Sequence, residues 1–72
     1  MDNTEISNFG KNLRQIIFDN HLKQKEIARH AGVTEQSISY IVNGKRNPST
    51  GTALKIAEYL GVDLWDMLKE RK

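Results

Sequence analysis

The stretch from Gln24 to Asn43 constrains this chain more than any other part of it. Apolar residues stand at Ile27, Ala31, Val33, Ile38 and Ile41, with Gly32 among them and the small Ala28 four residues before that glycine. Residues 24–31 and 35–43 each carry an apolar stripe at helical spacing. Gly32 follows the first stripe at once, and glycine enters the left-handed conformation that ends a helix without a steric penalty. Thr34 comes next as an N-cap, its hydroxyl placed to accept a bond from a backbone N–H of the following turn. The interval leaves room only for a tight corner, so two short helices must cross steeply. There Ala28 lets the helices approach, Val33 plugs the corner, and Ile38 and Ile41 seat the second helix on the core.

The rest of the chain repeats the helical pattern. Residues 6–20 place Ile6, Phe9, Leu13, Ile16 and Ile17 on one stripe, with Phe18 off it. His21-Leu22-Lys23 connects to the corner unit. Asn43-Gly44 ends its second helix, and Lys45-Arg46-Asn47-Pro48 is a loop. Ser49 or Thr50 caps a fourth helix with Ala53, Leu54, Ile56, Ala57 and Leu60 as its inner face, which Gly61 stops. Asp63 caps a short fifth helix carrying Leu64, Trp65, Met67 and Leu68, and residues 69–72 are expected to fray. No run alternates with period two, so strands are not expected. The expectation is an all-α, five-helix domain spanning residues 1–72, with its core at about 6–68, and 72 residues leave no room for a second domain.

Composition excludes several classes. Cysteine is absent, which removes disulfides, thiol chemistry and cysteine zinc sites. An unstapled domain of this size suits a reducing cytoplasm. The longest apolar runs are three residues, as at Ile16-Ile17-Phe18, whereas a membrane-crossing helix needs about 20. The polar, acidic start, Met1-Asp-Asn-Thr-Glu5, is not a secretory signal. His21 and His30 have no cysteine or carboxylate at ligand spacing, so no metal site is expected. Ser37 and Ser39 lack a nucleophile's surroundings. Acids such as Glu58, Asp63 and Asp66 read as capping and surface groups. An enzyme, a cofactor and a small-molecule substrate are therefore not expected.

What remains is a surface. The net charge is +2, but residues 22–48 carry +3 while the segments on either side carry −1 and 0. Between the core anchors of the second corner helix, Glu35, Gln36, Ser37, Ser39 and Tyr40 face outward. Short polar and amide side chains near a helix N-terminus are what read base edges in a major groove. Gln36 can pair with adenine through two hydrogen bonds, Glu35 can accept from a cytosine amine, and Ser37 and Tyr40 can reach a phosphate or a thymine methyl. Gln24 at the start of the first corner helix and Thr34 at the cap suit phosphates, as do Asn43, Lys45 and Arg46 beyond the reading helix.

These residues carry a family resemblance. Gln24-Lys-Glu-Ile-Ala28, Gly32-Val-Thr34, Ser37-Ile-Ser39, Asn43-Gly-Lys-Arg-Asn-Pro48, Leu54-Lys-Ile-Ala57 and Leu60-Gly-Val62 resemble the lambda-repressor-like helix-turn-helix family of Xre or Cro/C1 type, over about residues 8–68. The resemblance implies a five-helix fold that binds double-stranded operator DNA, usually as a dimer, with the third helix in the major groove. Gln24 and Asn43 match its phosphate-binding positions, and Glu35, Gln36, Ser37, Ser39 and Tyr40 its base-reading positions. The chain departs from the pattern at Lys23, where many members carry a capping Ser, Thr or Asn. It departs again at Ile17 and Val42, where many carry an Arg–Glu pair. The reading helix has no Arg or Lys and begins with Glu35, which suits the helix dipole but repels phosphate.

Short phage proteins of this build include Cro-like repressors that control a genetic switch and modulator-of-repression antirepressors. Two functions are thus implied: an operator-reading regulator, or an antirepressor that covers the DNA-binding surface of a larger cognate repressor. Either would work in a cytoplasm, a bacterial host's if the chain is phage-encoded. The candidate surface for a repressor, or for a second copy in a homodimer, comprises Glu35, Phe18, Trp65 and Met67. For Trp65 the competing expectation is that it covers the end of the core.

Overall fold

Five helices and no strand occur among the described residues, 3–69 of this computed structural model, with side chains described from Asn8 onward. The helices are α1 (Asn3–Asn20), α2 (Gln24–Ala31), α3 (Glu35–Val42), α4 (Thr50–Leu60) and α5 (Leu64–Leu68). α1 packs against α5 and α3, α2 against α3 and α4, and α4 against α5. Among the described residues no helix is long and apolar enough to cross a membrane. One core joins the elements: Phe9 and Leu13 of α1, Ile27, Ala28 and Ala31 of α2, Ile38 and Ile41 of α3, Ala53, Ile56 and Ala57 of α4, and Met67 of α5.

The corner forms as its residues dictate. Gly32 adopts φ +73°, and the N–H groups of Gly32 and Val33 donate to the carbonyls of Arg29 (3.3 Å) and Ala28 (3.0 Å), closing the end of α2. Ala28 is buried at the crossing. At the other end of α2, Lys23 holds the extended N-cap conformation but gives no side-chain bond to the first turn. The N–H that a capping side chain would serve, that of Glu26, donates instead to the Lys23 carbonyl at 3.1 Å.

Two contacts that fix α1 carry no obvious sequence signal. Gly10 is buried where α1 meets the last turn of α3, and a Cβ there would run into the backbone carbonyl of Ile41. Asn12 is buried and clamps α5: its Nδ2 donates to the carbonyls of Met67 (2.6 Å) and Lys69 (2.8 Å), while Asn8 Nδ2 donates to that of Leu68 at 3.3 Å. A five-residue helix cannot hold itself together in water. These amides satisfy the carbonyls its last turn leaves open. Asn12 Oδ1 remains buried with no partner among the described residues.

Several expectations need correction. Met67 is 1 % exposed and part of the core, so it belongs to no partner surface; α5 turns it inward over α1. Trp65, two residues earlier on the same helix, is 70 % exposed and does not cover the core. Leu54 is half exposed, because the inner face of α4 follows Ala53, Ile56 and Ala57 and Leu54 is one residue, about 100°, off that line. α1 begins at Asn3 rather than residue 6, since its first turn is polar and carries no stripe to mark it. α3 ends at Val42, with Asn43 as its cap and Gly44 taking the left-handed turn at φ +73°. The expected burial of Ile6 and the fraying of residues 70–72 lie outside the described residues and side chains.

Candidate nucleic-acid interface

Thr34 sets the start of α3. Its backbone is extended, and its Oγ1 accepts from the Ser37 backbone N–H at 3.1 Å, while its hydroxyl donates to Ser37 Oγ at 3.0 Å. The cap thus engages the half-buried Ser37 and leaves Glu35 and Gln36 as the exposed side chains of the first turn. Neither Glu35 oxygen takes a hydrogen bond or an ion pair among the described residues. Its charge faces solvent at the positive end of the helix, where the dipole favours it.

Gln36 Nε2 donates to the hydroxyl of Tyr40, one turn further on, at 2.9 Å, an i,i+4 pair along the outer face. The exit loop then folds back onto that turn. The N–H groups of Lys45 and Arg46 both donate to the Tyr40 carbonyl, at 2.8 and 3.3 Å. This brings the Arg46 guanidinium over the Tyr40 ring, 5.3 Å from its centre, within cation–π range. Gln36, Tyr40 and Arg46 therefore form one array running from the first turn of α3 to its exit. Asn43 closes the same end, its Nδ2 donating to the Ser39 carbonyl at 2.9 Å with Ser39 Oγ at 3.4 Å.

Of the residues singled out in sequence, the structure joins Thr34 with Ser37, Gln36 with Tyr40 and Arg46, and Ser39 with Asn43. Lys45 is exposed beside Arg46. Gln24 stands apart as the first, half-exposed residue of α2. Phe18, 76 % exposed, and Trp65 are exposed apolar side chains outside the array. His30 stacks on Tyr59 with ring centres 4.3 Å apart, and His21 sits in the turn after α1 with φ 54°. No group of three His, Cys, Asp or Glu among the described residues could hold a metal ion. Two cations went unremarked in the sequence. Lys11 and Arg14 of α1 line a cleft with Val42, Asn43 and Gly44 at the end of α3. Their i,i+3 spacing shows that they share a face, but nothing local says which helix that face meets.

Comparison with known proteins places this arrangement. A family model described as helix-turn-helix matches residues 11–64. The chain is 40 % identical over 47 residues to an uncharacterized HTH-type transcriptional regulator of Methanocaldococcus jannaschii, covering 65 % of this chain and 71 % of that protein. It is 41 % identical over 59 residues to the ImmF control region 10 kDa protein of Bacillus phage phi105, covering 76 % of this chain and 66 % of that one. Its fold matches the crystal structure of the restriction-modification controller protein C.AhdI from Aeromonas hydrophila, with a TM-score of 0.78 and 25 % identity over 93 % of this chain and 99 % of the other.

Proposed function

The chain belongs to the helix-turn-helix family, in its lambda-repressor-like Xre/Cro-C1 branch, and on that premise we propose that it is a sequence-specific transcriptional regulator that reads an operator with α3. The carrying observation is the array on α3: an exposed Gln36 amide in the first turn of the helix, tied through Tyr40 to Arg46 at the exit. In this reading Gln36 takes the paired contact with a base, Glu35, Ser39 and Tyr40 tune its neighbours, and Ser37 acts partly through the cap. Gln24 and Thr34 on one side, and Asn43, Lys45 and Arg46 on the other, hold the two phosphate strands. A single copy reads one half-site, so a second copy on a symmetric operator is the expected assembly, with Phe18 and Trp65 as its candidate contacts. Selection of binders from a random duplex pool tests this. The expected outcome is one enriched motif, and an unenriched pool would reject sequence-specific reading.

A second reading has its own observation, the exposed carboxylate of Glu35 on the same face, without a partner among the described residues. We infer from it an antirepressor role, in which Glu35 pairs with an Arg or Lys on the DNA-binding surface of a cognate repressor. The relative from a phage control region agrees with a place in such a switch. The two roles give Glu35→Gln opposite signs. Facing DNA, losing the charge removes repulsion from phosphate and strengthens non-specific binding. Facing a repressor, it removes one partner of a charged pair and weakens the complex, by about 1–3 kcal/mol if that pair is desolvated. Titrating both forms against DNA, and against any repressor found encoded next to this chain, separates the roles.

A further inference from the structure

We propose that the cleft between α1 and the end of α3 holds one backbone phosphate of bound duplex DNA, with Lys11 and Arg14 as its cations; this rests on the DNA-binding reading above. The cleft measures about 320 Å³ and is lined by Lys11, Arg14, Val42, Asn43 and Gly44. Two cations line it and no carboxylate does. The two ion pairs among the described residues, Arg29–Glu26 and Lys69–Asp66, involve neither.

Lys11 and Arg14 sit three residues apart on α1, on one face, where like charges repel. An anion between them relieves that repulsion, and the two side chains suit it differently: the arginine as a planar fork, the lysine as a mobile point charge. The rest of the lining keeps the mouth open and fixed. Gly44 has no side chain, and even a Cβ built there would meet nothing within 4 Å. The Asn43 amide is held on the Ser39 carbonyl of its own helix, which fixes that side chain at the mouth. Gly44 leads directly into Lys45 and Arg46, which makes the cleft continuous with the exit loop assigned to phosphate. With α3 in the groove, the strand that passes this loop passes the cleft as well. α1 then acts as a second wall of the interface as well as a support for α3.

The test is the salt dependence of binding to a short mixed-sequence duplex. A protein that neutralises one phosphate adds about 0.9 to the slope of log affinity against log salt. The Lys11→Gln/Arg14→Gln double variant should therefore lose about one unit of slope. Between about 50 and about 200 mM salt its affinity should fall roughly three- to fourfold less than that of the wild type. Both side chains are exposed, so its thermal melt should match the wild type. Lys11→Arg/Arg14→Lys, which keeps both charges, should retain the slope, as should Lys55→Gln/Lys69→Gln, which removes two charges outside the cleft. An unchanged slope in the cleft variant, with the wild type still binding, overturns this inference and leaves the DNA-binding reading standing. An equal loss in the Lys55/Lys69 variant also overturns it, since the effect would then be one of net charge. A wild type that binds the duplex without salt dependence, or not at all, removes both.

Discussion

Replacing Gly10 by alanine should weaken this fold, although in most helices the same change strengthens it. In a free helix, alanine gains about 0.5–1 kcal/mol over glycine because the unfolded chain loses less freedom. At Gly10 the added methyl meets the Ile41 carbonyl, which accepts the Gly44 N–H and so holds the exit turn of α3. A backbone oxygen cannot rotate aside as a side chain can, so α1 and α3 must part. Overpacking of this kind costs about 1–3 kcal/mol. With a backbone atom in the way the upper half of that range applies, and the net loss should be about 1–2.5 kcal/mol. For a domain of this size each kcal/mol shifts the midpoint by about 4–8 °C, so the melt should drop by about 4–20 °C. Gly51 provides the internal control: it lies in α4, and a Cβ there meets nothing within 4 Å. Gly51→Ala should gain about 0.4–1 kcal/mol. Circular-dichroism melts of the two variants beside the wild type are the assay. If Gly10→Ala melts at or above the wild-type temperature, α1 and α3 do not approach as closely as this packing requires.

Asn12→Leu removes the donor for the Met67 and Lys69 carbonyls and should cost about 2–3 kcal/mol in urea unfolding, whereas wild-type stability would mean that α5 needs no clamp. Met67→Ala should cost about 2–5 kcal/mol by opening a cavity, while Trp65→Ala should stay within about 0.5 kcal/mol of the wild type. The reverse order would return Met67 to the surface. Lys23→Ser supplies the cap that α2 lacks and should add about 1 kcal/mol, read as a raised melting temperature; no gain would mean that other groups already satisfy that turn.

The parts of the fold that were legible in sequence are those whose meaning is local. The stripes of α2 and α3, the left-handed glycine at 32 and the Thr34 cap each depend on residues within one or two turns, so spacing alone places them. Gly10 and Asn12 were not legible, because each acts on a partner far along the chain. The Asn12 bond to Met67 spans 55 residues, and a glycine or asparagine inside an apolar stripe does not name what it meets. Met67 was misjudged, and Trp65 left between surface and core, because a five-residue helix offers too few positions to fix the phase of its apolar face. The reading surface divides in the same way. The Gln36–Tyr40 pair follows from i,i+4 spacing. The position of Arg46 over Tyr40 depends on a loop folding back, and the meeting of Lys11 and Arg14 with the end of α3 depends on tertiary packing.

The most direct test of base reading by α3 is the ratio of affinities for the selected motif and a scrambled duplex, measured for wild type and Gln36→Ala at one salt concentration. Gln36 is exposed, and its only side-chain hydrogen bond among the described residues is to Tyr40, so the variant should fold and melt as the wild type does. A paired contact to a base is worth about 1–3 kcal/mol of discrimination, so the ratio should fall by about five- to 150-fold while binding to the scrambled duplex stays the same. A Gln36→Ala protein that keeps the wild-type ratio would contradict the reading of DNA sequence by this face of α3.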